Sequence, residues 1–201
     1  MLRPLPHLEL WRWALGATCA FFVGVAKTGV PGLGILVVPL LVLAVGDART
    51  SAGWLLPLLC AADVFAVVYY RRHAATRRLF ALVPWVALGM VGGFVALGLP
   101  DVVLRRLVGG IVLAMIGVHV FRRRRAETAT TPGTASGVVY GGVAGFATTV
   151  ANAAGPVMNL YLLARRLPKE EFIATGAWFF LVINLTKVPL YAWRGMITAE
   201  G

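Results

Sequence analysis

The chain is poor in charge, cysteine and recognisable catalytic motifs, and each shortage removes a class of function. Charged residues are 13% of its 201 residues, against about 25% in ordinary soluble domains. With 59% hydrophobic residues and a mean hydropathy of +0.82, too few polar side chains remain to cover a water-soluble fold. Cys19 and Cys60 both stand in apolar runs without CxxC or Cys/His spacing, so neither a disulfide framework nor a metal site is expected. HExxH and GxSxG are missing, and His7, His73 and His119 have no partner spacing, which argues against a metal enzyme or an intramembrane protease. A phosphate loop fails as well, because Ala26 stands where GxxxxGK[ST] needs glycine before the lysine. No catalytic residue and no cofactor are expected. The N-terminus also lacks the pattern of a removed signal peptide, so the first apolar run is expected to stay in the mature protein.

What the chain has in plenty is apolar runs of bilayer length, separated by short polar breaks. The expected fold class is all-α: a polytopic transmembrane helix bundle with the lipid bilayer as solvent. The net charge of +11 does not indicate nucleic acid, since that needs a basic face on a soluble module and no such module fits between the spans. Basic residues in short loops instead hold membrane helices in orientation.

The first apolar region, Trp11 to Val45, exceeds one crossing of roughly 20 residues. It is interrupted by Lys27-Thr28-Gly29-Val30-Pro31-Gly32-Leu33-Gly34. Glycine and proline break the helix there, predicting a re-entrant hairpin that returns from Leu33 to Ala44. Spans are expected at Ser51–Tyr70, Leu79–Leu99 and Val102–Phe121. A second interrupted region runs over 137–164, broken around Asn152-Ala153-Ala154-Gly155-Pro156, and a last span covers Phe172–Trp193.

The order of hairpin, turn and span thus occurs twice, the trace of an internal repeat. It divides the chain into a first transmembrane repeat, 1–121, a cytoplasmic polar linker, 122–136, and a second repeat, 137–201. The basic loops with Arg71, Arg72, Arg77 and Arg78, with Arg122 to Arg125, and with Arg165, Arg166 and Lys169 fall on one face, expected to be cytoplasmic. Arg3, Arg12, Arg49, Arg105, Arg106 and Arg194 fall on the other. This places the N-terminus outside the cytoplasm and inverts the two halves. Inverted repeats with broken helices are a recurring plan of secondary transporters, with the site at the breaks.

Ionisable groups inside spans cost about 2.5 to 3.5 kcal/mol each on insertion scales. The chain has three, Lys27, Asp63 and Lys187, which sum to one positive charge. One lysine offset by Asp63 would leave the other, with backbone N–H groups freed at the breaks, to face an anion. The competing structural expectation is that Lys27 snorkels to an interface while Asp63 and Lys187 form a buried pair. Asp63 is also a candidate coupling group, since burial tends to raise a carboxyl pKa. Thr148, Thr149 and Thr186 are further hydrogen-bonding candidates, or else bond between helices. The expected substrate-binding set is Lys27, Thr28, Gly29, Gly32 and Gly34 at the first break, Asn152, Gly155, Pro156 and Asn159 at the second, and Asn184 and Lys187 on the last span.

The stretch Gly24 to Gly34 with Pro39 resembles the first-repeat signature of the sulfite exporter TauE/SafE permeases. Thr148 to Pro156, followed by Leu167-Pro168-Lys169-Glu170-Glu171-Phe172 and Thr175-Gly176-Ala177-Trp178-Phe179-Phe180, resembles the second. The resemblance implies an all-helical inner-membrane permease, without a cofactor, that moves sulfite, sulfonates or related organic anions. Such permeases usually continue with further helices, and two spans follow the long one in the first half but none in the second. The second repeat is therefore expected to be incomplete at its C-terminus. The rival expectation is a non-transporting membrane subunit assisting a sulfur-metabolism system, which would have no need of charges at mid-membrane breaks.

Overall fold

The structure, a computed structural model, describes residues 10–27, 33–70, 81–124, 134–165 and 167–197. Among them it has eight helices. These are α1 (Leu10–Lys27), α2 (Leu33–Val45), α3 (Ala48–Tyr70), α4 (Val83–Ala96), α5 (Asp101–Arg124), α6 (Thr134–Ala151), α7 (Gly155–Ala164) and α8 (Lys169–Trp193). No strand occurs among the described residues. The first break, with Thr28, Gly29 and Gly32, lies outside the described residues, as do Arg3, Arg71, Arg72, Arg77, Arg78, Arg125 and Arg166.

Helices α3 and α8 are long and apolar enough to cross a membrane. The span expected over 79–99 comes out shorter. Helix α4 opens with Pro84 in its first turn and ends at Ala96, where Leu97, Gly98 and Leu99 turn back onto the carbonyls of Gly93, Val95 and Ala96. Its 14 residues extend about 21 Å at 1.5 Å per residue, short of a hydrocarbon core of roughly 30 Å. Apolarity continues past the helix end, so hydropathy alone overestimates its length.

Helices α3 and α8 form the central pair and run antiparallel. Gly53, early in α3, lies so close beneath the backbone of Met196, just past α8, that a Cβ there would collide with the Met196 carbonyl. At the opposite end Ala66 and Val67 of α3 pack with Ala177 of α8. The other extensive contact is between α4 and α6, which run parallel along a seam of glycines. A Cβ on Gly89 would stand 2.1 Å from the Gly142 carbonyl oxygen, and one on Gly145 2.1 Å from that of Val86. Small residues at every fourth position, Gly137, Gly141, Gly145 and Thr149 on α6 with Gly89 and Gly93 on α4, let membrane helices approach to backbone contact.

Polarity is arranged inside out relative to a soluble protein. Asp63, Lys187, Asn184, Thr148, Thr149 and Thr175 are buried, while Phe65, Tyr69, Leu88, Val95 and Leu113 point outward. That is the distribution expected where lipid covers the surface.

At one end of the bundle, arginines occupy the carbonyls that helix ends leave unpaired. Arg49 donates to the Leu97 and Leu99 carbonyls. Arg105 pairs with Asp101 at 2.5 Å and donates to Gly46 O at 2.6 Å. Arg194 donates to Phe94 O at 3.1 Å and stacks over the Phe94 ring. In the adjoining turn, Asp47 caps α3, accepting from both the N–H and the hydroxyl of Thr50 at 2.6 Å. Partial burial pushes the Asp47 carboxyl up, but the Thr50 bonds, together with Asp101 and Arg49, outweigh it and hold it below the ordinary value. The carboxylate therefore favours the folded state above its unfolded pKa of about 3.9. That contribution disappears as pH falls through the lower folded value. Asp47→Ala is expected to lower stability by about 1 kcal/mol, the usual cost of an N-cap, read as thermal unfolding in detergent at neutral pH. The difference between the two proteins should shrink on acidification.

Candidate functional site

Helix α6 stops at Ala151 because Asn152 takes a left-handed conformation, φ 51°. This is a conformation that asparagine tolerates better than most residues and that commonly ends helices. Ala153 N–H then reaches back to Ala147 O at 3.2 Å, and α7 starts afresh at Gly155 with Pro156 in its first turn, where proline's missing N–H costs nothing. The second expected break is thus a true interruption, placed beside the α3–α8 pair by the Asn152 Nδ2 bond to Ala52 O, 3.0 Å.

Around it lies a cavity of about 120 Å³. Its polar wall comprises Lys27, Thr148, Asn152, Asn159 and Asn184, joined by the start of α7 at Gly155 and Pro156. The remaining wall is apolar, including Val23, Val37, Leu55, Leu59 and Phe180. The structure therefore brings together one residue of the first break, four of the second and one from the last span. Gly34 lies in the first turn of α2.

The three charges within the helices are paired differently from the structural expectation. Lys27 Nζ is 2.5 Å from Asp63 Oδ1, with the Asp63 side chain fully buried, and Asn184 Nδ2 donates to the other carboxylate oxygen at 2.6 Å. Lys187 does not pair with Asp63. Its ammonium donates to Thr148 O at 3.1 Å, Thr148 Oγ1 at 3.0 Å and Asn152 Oδ1 at 2.5 Å. All three acceptors are neutral, and all belong to residues of the cavity wall. Lys187 thus stands behind the wall, fixing Thr148 and Asn152, while its charge has no ionised partner within salt-bridge distance among the described residues. Lys27 has a further contact, its ammonium lying 4.3 Å from the centroid of the Phe180 ring.

Two participants were not among the expected site residues. Tyr191 is fully buried and donates its hydroxyl to Thr149 O at 2.7 Å, tying the end of α8 to α6. Phe180 lines the cavity beside Lys27. Both were within reach, because Phe180, Asn184, Lys187 and Tyr191 follow one another at spacings of four, three and four residues. That spacing puts them on one face of a helix.

Among the described residues no group of His, Cys, Asp or Glu could hold a metal ion, and Cys19 and Cys60 are free thiols. Chemically, the site offers amide and hydroxyl donors, a helix N-terminus and, behind the wall, a lysine without an ionised partner among the described residues. Among the described residues it offers no nucleophile with an adjacent base.

Comparison with known families gives one result. The family model described as Sulfite exporter TauE/SafE matches residues 16–200. Comparison with curated proteins gives no match, and comparison with solved structures gives none either.

Proposed function

The chain belongs to the sulfite exporter TauE/SafE family, and from that premise we propose that it carries small sulfur-containing anions across the bacterial inner membrane by alternating access. It is a membrane transporter rather than an enzyme. The sulfur-containing anions meant are sulfite, sulfonates and related organic anions, bound in the cavity at the second break.

The observation that carries this proposal is the excess charge. Lys27 and Asp63 neutralise one another, whereas Lys187 meets only neutral oxygens. An unpaired charge in a low-dielectric bundle is costly, and an anion in the adjoining cavity offsets it. Asn152, Asn159 and Asn184 supply directional donors to oxyanion oxygens, and the N-terminus of α7 adds the positive end of its dipole. Thr28, Gly29 and Gly32 complete the proposed set from the first break. The Lys27–Asp63 contact supports an ion-pair role for Asp63, with proton coupling reserved for states in which that pair opens.

The antiparallel α3–α8 pair supports two inverted repeats, 1–121 and 137–201, because each of these helices is the long span that follows the interrupted pair of its repeat. Asp63 and Asn184 each lie 15 residues after the start of their helix, and they meet at the crossing. The Lys and Arg of the short loops at the end away from Arg49, with Arg165 and Lys169 among them, support placing that end in the cytoplasm. In this orientation the N-terminus is extracytoplasmic, and residues 122–136 are the cytoplasmic link between the halves.

The test is uptake or efflux of radiolabelled sulfite and a short alkanesulfonate in proteoliposomes. Lys187→Met is expected to lower anion affinity at least about tenfold, because it removes the cation behind the wall and releases Thr148 and Asn152 from its hold, and a loss of about 1.4 kcal/mol of attraction is tenfold. Wild-type affinity in a folded Lys187→Met protein would remove Lys187 from the site.

A further inference from the structure

Beyond the cavity at the second break lies another of about 210 Å³, lined by Ala66, Leu163, Phe172, Ile173, Gly176 and Ala177. Both cavities are also bounded by Ala26, Lys27, Asn159 and Phe180. Their order follows the helix pair. Along α3 the first cavity touches Leu55 and Leu59 and the second Ala66; along α8 the first touches Asn184 and the second Phe172 to Ala177. Because α3 and α8 run antiparallel, these positions place the two cavities end to end along the bundle, with Phe180 at the joint.

Phe180 is the one aromatic residue in both walls among the described residues. An apolar ring across a narrow path stops a hydrated ion, which has to shed water to pass it. The ring is held in turn by the Lys27 ammonium, 4.3 Å from its centroid, and that ammonium is anchored by Asp63 at 2.5 Å. Cation–π attraction grows as the cation loses water, and the Lys27 side chain is only 17% exposed.

We propose that Phe180 is the gate between the two cavities and that the Lys27 ammonium is its latch. The proposal rests on the transport reading given above. An anion entering the first cavity competes for Lys27, which lines that cavity. Movement of the ammonium toward the anion removes it from the Phe180 ring and frees the ring to rotate. Arrival of substrate thereby opens the way to the second cavity.

The test uses the full chain with Cys19→Ala and Cys60→Ala, in membrane vesicles of both orientations treated with a membrane-impermeant methanethiosulfonate. Ile173→Cys reports the second cavity and Leu59→Cys the first. The side from which Ile173→Cys reacts is the side beyond the gate. From that side Leu59→Cys is expected to be protected while Phe180 is intact. It is expected to react about tenfold faster or more in Phe180→Ala, the scale of a desolvated cation–π contact. Phe180→Leu, which keeps an apolar side chain without the π face, guards against misfolding and should show a smaller increase in the same direction. Equal Leu59→Cys rates with and without Phe180, or an Ile173→Cys that reacts from neither side, overturn the gate. Sulfite flux through the same proteins keeps the two ideas apart. Labelling that changes as expected in a chain that carries neither sulfite nor alkanesulfonate sinks the transport reading and leaves the partition standing. Normal flux with unchanged labelling does the reverse.

Discussion

Lys27→Met is expected to abolish anion flux and to destabilise the bundle by about 3–5 kcal/mol, the scale of breaking a buried ion pair by removing one partner. The cost arises from the partner that stays. Asp63 is fully buried, and its second oxygen already accepts from Asn184, so the loss of Lys27 leaves a carboxylate with one neutral donor in a low-dielectric interior. The Lys27→Met/Asp63→Leu double variant separates the two effects. With both charges gone no carboxylate is left without its lysine, and stability should recover most of the loss. Flux should not recover, because Lys27 lines the cavity and lies over the Phe180 ring. Thermal unfolding in detergent reads the first quantity and sulfite flux the second. A double variant as unstable as Lys27→Met would mean that the pair holds the fold by packing rather than by charge. A double variant that transports normally would remove Lys27 from the substrate path.

The second large effect is expected where no charge is involved. Gly145→Ala should destabilise the protein by about 3 kcal/mol or more, as overpacking against an unyielding neighbour does. Its Cβ would stand 2.1 Å from Val86 O and 2.9 Å from Met90 N. Both are backbone atoms of α4, so only separation of the two helices relieves the contact. Three residues earlier in the same helix, a Cβ on Gly142 meets nothing within 4 Å. Gly142→Ala should therefore gain about 0.5–1 kcal/mol from helix propensity alone. The two substitutions are chemically identical and their expected effects have opposite signs. Unfolding midpoints of the pair, measured side by side, check the α4–α6 seam. Equal midpoints would mean that the helices do not approach this closely.

The sequence made the helices legible because each is a long apolar run bounded by glycine, proline or charge, and these signals are local. The break at Asn152-Ala153-Ala154-Gly155-Pro156 was visible for the same reason, and so were the three intramembrane charges, which stand out against an apolar background. The α4 end at Ala96 was not visible, because the residues that follow, Leu97 to Pro100, are as apolar as the helix itself. The glycine seam was open to detection from its spacing of four, yet its partner helix was not, since small residues at that spacing are compatible with several neighbours. Phe180 and Tyr191 lay on the same helical face as Asn184 and Lys187, but spacing alone does not distinguish an aromatic residue in a cavity wall from one that only packs.

By itself, then, the sequence determined an all-helical chain with polar breaks, three charges within the helices and membership of a transporter family, because composition, helix length and break points depend on neighbours along the chain. The tertiary structure decided which charges neutralise one another. Lys27 takes Asp63, and Lys187 is left to the neutral oxygens of Thr148 and Asn152. That choice depends on how α1, α3, α6 and α8 pack. Contacts between residues as far apart as Asn152 and Ala52 are set by helix packing across the bundle, for which adjacent residues carry no local signal.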